Sequence, residues 1–317
     1  MKVVVTGAAG FIGSHVVDQL LNLGAEVVAI DNLSTGKSEN LMCAAQHVGF
    51  EFVYDDIRDA NTRRACQGAD VIVHLAAVAS VPESLEHPLD YDTNNVHGTL
   101  NMLEAAREQQ VRRFIYSASS SAYGNAVILP HVETMVPAPV SPYAVTKLAG
   151  EHYCQAYHRS YGLPTIALRY FNVYGPRQSP ENQYAAVIPN FVAKLQSGEA
   201  PTIFGDGTQT RDFVYVGDVA RANVICCATL PSWVDEEVYG RVFNIAGGKQ
   251  ITINLLAVKL CQLLGVDVRQ RYASKREGDV KHSCADIREA RVCLGWEPTV
   301  DLTTGLRETV EWFQSAA

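Results

Sequence analysis

Short apolar runs alternate with amphipathic stretches through the first half of the chain. Residues 3–5 are apolar and lead into Gly7-Ala8-Ala9-Gly10-Phe11-Ile12-Gly13. A helical pattern over 14–23 then stops at Gly24, and a second apolar run over 25–30 ends at Asp31. Glycine just past the last periodic residue is a common helix stop, because it takes the left-handed conformation without a Cβ penalty. The segment therefore reads as strand, helix, strand. The same rhythm predicts strands at 50–53, 71–75, 114–117 and 165–170, with helices near 60–66, 93–109 and 142–160. Strands apolar on both faces that alternate with helices predict an α/β fold built on a doubly wound parallel sheet.

Beyond Gly175 the rhythm changes. Short apolar stretches are broken by Pro176, Pro180, Pro201, Gly205-Asp206-Gly207 and Gly247-Gly248, and helices are predicted at 185–197, 217–228, 252–264 and 305–314. There is no internal repeat or low-complexity tract. The expectation is a first domain over 1–175 and a smaller C-terminal α/β domain over 176–317, with the chain returning to the first around 213–245. The cleft between them would lie at the C-terminal ends of the strands, where open α/β sheets bind ligands.

Composition narrows the classes. The 317 residues are 47% hydrophobic and 19% charged, too apolar for disorder, and Lys+Arg 26 against Asp+Glu 34 gives a net charge of −8. Binding to a nucleic-acid polymer or an anionic membrane needs a basic face that this balance does not supply. No apolar run approaches the roughly 20 residues that span a bilayer, and the apolar start is too short for a signal peptide. A cytoplasmic protein is expected. The eight cysteines contain no Cys-x-x-Cys pair and read as buried free thiols, and the nine histidines show no paired spacing, so no metal is expected.

Gly7-x-x-Gly10-x-x-Gly13 follows a strand and opens a helix, which is how a Rossmann sheet holds a pyrophosphate on helix N–H groups. Asp31 ends the next strand, where a carboxylate accepts ribose hydroxyls and repels a 2′-phosphate, so NAD is favoured over NADP. Asp56 in Asp56-Ile57-Arg58-Asp59 either reaches an adenine amino group or sits in a solvated loop. Leu75-Ala76-Ala77 lets a flat ring approach the backbone or simply packs helix on sheet. The cofactor candidates are Gly7, Gly10, Phe11, Ile12, Gly13, Asp31, Asn32, Asp56, Ile57, Leu75, Ala76, Ala77, Tyr143, Lys147 and Tyr170.

Tyr143-x-x-x-Lys147 puts a phenol and an ammonium on one helix face. A phenol titrates near pH 10, and the neighbouring Lys⁺ together with the positive nicotinamide would lower that value toward useful general acid–base work. Upstream, Ser117-Ala118-Ser119-Ser120-Ser121-Ala122-Tyr123-Gly124 offers hydroxyls that either bridge substrate to the phenol or cap turns.

With these motifs, and with His74-Leu75-Ala76-Ala77, Asn94-Asn95-Val96-x-Gly98-Thr99, Leu168-Arg169-Tyr170-Phe171-Asn172-Val173-Tyr174-Gly175-Pro176, Arg211-Asp212-Phe213 and Arg276-Glu277-Gly278-Asp279, the chain resembles the extended short-chain dehydrogenase/reductase family, specifically its nucleotide-sugar 4-epimerases. The resemblance covers nearly the whole chain. It implies that Tyr143 removes the proton of a sugar 4-hydroxyl while hydride passes to NAD, that Ser119 assists, and that Lys147 binds the nicotinamide ribose. It also implies that Ser80, Ser120 and Ser121 touch the sugar, that Asn172, Arg211 and Arg276 hold the diphosphate, and that Val187, Thr202 and Phe204 pack around uracil. Asp279 then orients Arg276 or meets the nucleotide ribose.

Ser283 stands where epimerases restricted to non-acetylated hexoses carry a bulky Tyr, so UDP-GlcNAc and UDP-GalNAc are expected as substrates beside UDP-Glc and UDP-Gal. Rival readings are a 4,6-dehydratase, a decarboxylase or a UDP-glucuronate 4-epimerase. The first two need a carboxylate in the serine segment, and 119–124 has none. A non-catalytic NAD-binding regulator would have no need of Tyr143 and Lys147. The resemblance further implies a homodimer formed by the helices near 93–109 and 142–160, with Leu100, Leu103, Tyr153 and Tyr157 facing either the partner or the sheet.

Overall fold

A computed structural model describes residues 1–180, 186–228, 236–275 and 280–315. In chain order the first part runs β1 (Lys2–Thr6), α1 (Phe11–Asn22), β2 (Glu26–Asp31), β3 (Phe50–Tyr54), β4 (Val71–His74), α2 (Val81–Glu86) and α3 (Pro88–Tyr91). It continues with α4 (Gly98–Glu108), β5 (Arg113–Ser119), α5 (Pro142–Tyr161) and β6 (Thr165–Tyr170). The second part comprises β7 (Asn172–Tyr174), α6 (Val187–Gln196), β8 (Thr202–Phe204), β9 (Thr210–Tyr215), α7 (Val216–Cys227), β10 (Arg241–Ile245), β11 (Gln250–Thr252), α8 (Ile253–Leu264), β12 (Arg271–Ala273) and α9 (Leu302–Ser315).

Seven strands form one sheet in the order β10-β6-β5-β4-β1-β2-β3, every neighbouring pair parallel. The predicted doubly wound sheet is borne out. Strand order reverses between β1 and β4, which makes the crevice above their C-terminal ends the place for a ligand. Alternate residues of β1 feed opposite cores. Val3 and Val5 pack with α1, α7 and Trp296, whereas Val4 packs with Met102 and Leu103 of α4 and Cys154 of α5. Leu103 and Tyr157 are buried in that second core, and Leu100 and Tyr153 pack against it, so all four face the sheet side.

Several boundaries moved for identifiable reasons. Helix α1 begins at Phe11, three residues before the predicted 14, because Gly10 is already its extended N-cap. The helix predicted near 93–109 divides into a π-helical turn, Asp92–His97, and α4. The 60–66 stretch is a 3₁₀ helix. Five cysteines are buried free thiols, but Cys43 is exposed and Cys284 and Cys293 are half-buried. No helix among the described residues is long and apolar enough to cross a membrane.

The second part adds a three-stranded sheet, β11-β9-β7, and the pair β12-β8, around a core of Ile188, Phe191, Leu256, Leu260, Leu306 and Val310. Strand β10 returns the chain to the large sheet beside β6. Helix α7 anchors the distant segment 296–300. The Asp218 carboxylate accepts the Thr299 and Val300 N–H groups, and its carbonyl accepts the Trp296 indole N–H.

Candidate active site

The loop after β1 closes tightly on the loop after β4. Gly7 has φ +67°, and a Cβ there would stand 2.7 Å from the Ala76 nitrogen. A Cβ on Gly13 would fall 2.0 Å from the Gly7 carbonyl oxygen. Only glycine permits this turn, which leaves the first N–H groups of α1 facing the crevice with no acidic side chain in the first turn to occupy them. That cradle fits the pyrophosphate of a dinucleotide.

Asp31 is buried, and its two oxygens accept the N–H groups of Ala9 (2.9 Å) and Leu33 (2.7 Å). Burial pushes its pKa up and the two N–H groups pull it back. Each oxygen keeps a lone pair for a ribose hydroxyl. Asn32 donates to Asp56 (2.8 Å), and the Arg58 guanidinium on Asp56 holds that carboxyl far below the usual carboxylate range. An adenine amino group would therefore share Asp56 with Arg58. The Ile57 side chain packs into the α4 core against Gly98.

A buried relay, unforeseen from the sequence, fixes the floor of the crevice. The Ala76 N–H donates to Thr6 Oγ1 (3.2 Å), which lies 2.8 Å from His74 Nδ1. His74 Nε2 lies 3.0 Å from Thr99 Oγ1, whose own proton goes to the Asn95 carbonyl (2.5 Å). This pattern assigns the proton of the ring to Nε2, and burial lowers the His74 pKa to about 3, so the ring is neutral. The Asn95 side chain grips both the N–H and the carbonyl of Val78 and also donates to Thr146 Oγ1 (3.0 Å), one residue before Lys147.

Ser141 caps α5 by accepting the Ala144 N–H, and Pro142 sits in its first turn. The helix carries Tyr143 and Lys147 on one face, as its four-residue spacing requires. Ser119 Oγ accepts both the N–H (3.2 Å) and the hydroxyl (2.8 Å) of Ser121, which leaves its own proton as a donor. The expected share of Lys147 in lowering the Tyr143 pKa is not seen: burial pushes the phenol up, and the opposing influence is the Ser119 hydroxyl. The reason is geometric, since the Lys147 ammonium lies over the Tyr116 ring, 4.8 Å from its centre. Burial lowers the Lys147 pKa to about 8, against the raising effect of Glu151. Glu151, one turn further on, makes a bidentate buried pair with Arg169 at 2.8 and 2.6 Å. Its i+4 spacing from Lys147 was the sequence signal for that support.

On the substrate side, the structure brings Asn172 to β9, where its amide donates to the Asp212 carbonyl (2.9 Å) beside Arg211. The Ser283 N–H donates to the Thr210 carbonyl (3.2 Å), placing Ser283 next to the same arginine. Thr202 and Phe204 flank the buried Ile203 on β8 and so share the opposite face, and Val187 opens α6. Ser80 caps α2. Tyr170, expected at the cofactor, puts its side chain in the α1/α7 core instead, where its hydroxyl donates to Asn223 (2.9 Å). Arg276 and Asp279 lie outside the described residues. Among the described residues no three His, Cys, Asp or Glu side chains cluster as a metal site.

The UDP-glucose 4-epimerase of Mycolicibacterium smegmatis is 40% identical over 318 residues, spanning 99% of this chain and 99% of that protein. The structure of UDP-N-acetylglucosamine 4-epimerase from Methanobrevibacter ruminantium M1, in complex with UDP-N-acetylmuramic acid, matches with TM-score 0.94 and 42% identity over 100% of this chain and 99% of that one. The UDP-glucuronic acid 4-epimerase of Bacillus cereus, in complex with UDP-glucuronic acid and NAD, matches with TM-score 0.92 and 36% identity over the whole of both chains. Residues 3–246, from the first strand through the return strand β10, match the description of the NAD dependent epimerase/dehydratase family, to which this chain belongs.

Proposed function

We propose that the protein is a UDP-sugar 4-epimerase that interconverts the gluco and galacto configurations through a 4-keto sugar, taking UDP-GlcNAc and UDP-GalNAc as well as UDP-Glc and UDP-Gal. The observation that carries this is the half-buried Tyr143, its phenol served by the Ser119 hydroxyl, in a serine segment that contains no carboxylate. Elimination or decarboxylation calls for a further acid or base, whereas inversion at C4 needs one proton acceptor that returns what it takes. NAD, when bound, supplies a reversible hydride acceptor that carries a positive charge.

The glycine loop, Asp31 and Lys147 hold the cofactor in this reading. Tyr143 takes the proton of the 4-hydroxyl as C4 is oxidised and gives it back once the keto sugar has presented its other face. Ser119 donates to the sugar oxygen and keeps the phenol aligned. Asn172 and Arg211 hold the diphosphate, for which the planar fork of arginine is suited. Residues 1–175 serve the cofactor and 176–317 the UDP-sugar, apart from the return to the first domain around 213–245, and two copies pair through the outward faces of α4 and α5.

The test is incubation of the purified protein, without added NAD, with UDP-glucose, UDP-GlcNAc and UDP-glucuronate, followed by separation of products. C4 epimers are expected from the first two, and Tyr143→Phe should lower turnover by about a thousandfold. A 4-keto-6-deoxy sugar or a pentose product would overturn the reading.

A further inference from the structure

Helix α2 opens with Ser80-Val81-Pro82-Glu83, the spacing of a capping box, in which the carboxylate at the third helical position normally returns to the N-cap N–H. Half of the box is ordinary, since Ser80 Oγ accepts the Glu83 N–H at 3.3 Å. The other half runs through a third residue. The Ser80 N–H donates to the Tyr91 hydroxyl (3.0 Å), and that hydroxyl donates to Glu83 Oε2 (3.2 Å). Tyr91 is 1% exposed. Its ring meets the Tyr143 ring edge-on, with centroids 6.4 Å apart at 89°. One buried side chain thus touches the cap of α2 at one end and the ring of Tyr143 at the other.

We infer that Tyr91 is a positioning residue for catalysis, its hydroxyl setting the Ser80 turn against the sugar and its ring setting the Tyr143 phenol. The inference rests on the epimerase reading and deepens it. The two ends of the side chain are separable. The hydroxyl acts on the turn that carries Ser80 and therefore on substrate binding. The ring acts on the orientation of Tyr143 and therefore on the chemical step. Glu83 commits the Tyr91 proton, and burial with the nearby Glu83 charge pushes the Tyr91 pKa up to about 12. Tyr91 thus stays a neutral strut while Tyr143 exchanges protons.

The test compares Tyr91→Phe, which keeps the ring, with Tyr91→Leu, which removes it. For Tyr91→Phe, KM for the UDP-sugar should rise about tenfold, the usual effect of losing a hydrogen bond to a charged group, with kcat within about twofold of the unaltered enzyme. Tyr91→Leu should show the same rise in KM and also lose about tenfold or more in kcat. Equal kcat in the two variants, or a loss of thermal stability alone, would overturn the inference.

If Tyr91→Leu does not fold, Glu83→Ala replaces it: KM should rise as in Tyr91→Phe, and an unchanged KM in both overturns the proposal. Amide hydrogen exchange over residues 80–86 reads the strut without any turnover. Faster exchange there in Tyr91→Phe supports it and unchanged exchange refutes it, even if the unaltered protein epimerises no sugar and the functional reading fails.

Discussion

The Lys147 ammonium stands 4.8 Å from the centre of the Tyr116 ring, with Glu151 one helical turn further along α5. A cation on an aromatic face is stabilised, but here burial dominates and brings the Lys147 pKa to about 8, below the ordinary 10.5. Between those values the unfolded chain binds a proton that the folded chain gives up. Stability through this group therefore rises with pH across that window.

Lys147→Met removes the titration. At pH 7 the cost of the buried charge is fully present, and by pH 10.5 it is largely gone. The difference in unfolding free energy between variant and unaltered protein should shrink by about 3 kcal/mol from pH 7 to pH 10.5, measured by urea denaturation. A difference constant with pH would show that the amine is not desolvated.

Asp212 should show the opposite sign. It is fully buried, Oδ2 accepts the Ala285 N–H (3.0 Å), and Oδ1 faces the N–H groups of Gly247, Gly248 and Lys249 without reaching hydrogen-bond geometry. Burial raises its pKa to about 7 from 3.8. The folded state holds a proton that the unfolded state releases, so stability through this group falls as pH rises from about 4 to about 7. Asp212→Asn should gain on the unaltered protein across that interval by about 3 kcal/mol in the same measurement, and parallel curves would refute the assignment.

Two glycines distinguish a close approach from a strained turn. Gly13→Ala forces a Cβ to within 2.0 Å of the Gly7 oxygen, and backbone cannot yield that space. The variant should lose copurifying NAD, read as absorbance at 260 nm after denaturation. Gly24 has φ +78° and open space around its Cβ position, so Gly24→Ala should cost about 1 kcal/mol of stability and leave NAD in place. Equal NAD content in both variants would count against the cradle.

Ser283 ends a short segment, 281–283, that bonds to Thr210 of β9 beside Arg211. Ser283→Tyr should lower kcat/KM for UDP-GlcNAc by at least about tenfold and leave UDP-glucose within about threefold, since a clash in a pocket acts on the bulkier substrate. Equal turnover of both sugars before and after the change would dismiss the gate.

The parallel sheet, the glycine turn and the Tyr143–Lys147 pair were legible because each is written in local spacing. Helix α2 was not. It has six residues, and Val81 and Leu85 are 41% and 63% exposed, so no apolar stripe announces it; its one signal was Ser80-x-x-Glu83. The grip of Asp218 on Thr299 and Val300 spans about eighty residues, and no pattern in the chain pairs such partners. How little Lys147 weighs on the Tyr143 phenol was illegible for a similar reason. Spacing puts Lys147 on the same helix face, but only packing shows that its ammonium turns to Tyr116.

Strand β6 ends at Tyr170 and β7 begins at Asn172, so a single buried residue, Phe171, separates the large sheet from the small one, and its N–H is itself bound to the Ile245 carbonyl of β10. A jaw needs slack at its hinge, and this crossing has none. At this crossing the halves cannot swing apart without breaking main-chain pairing, so a ligand of the crevice enters and leaves past surface segments. The radius of gyration in solution should therefore be the same with and without nucleotide sugar.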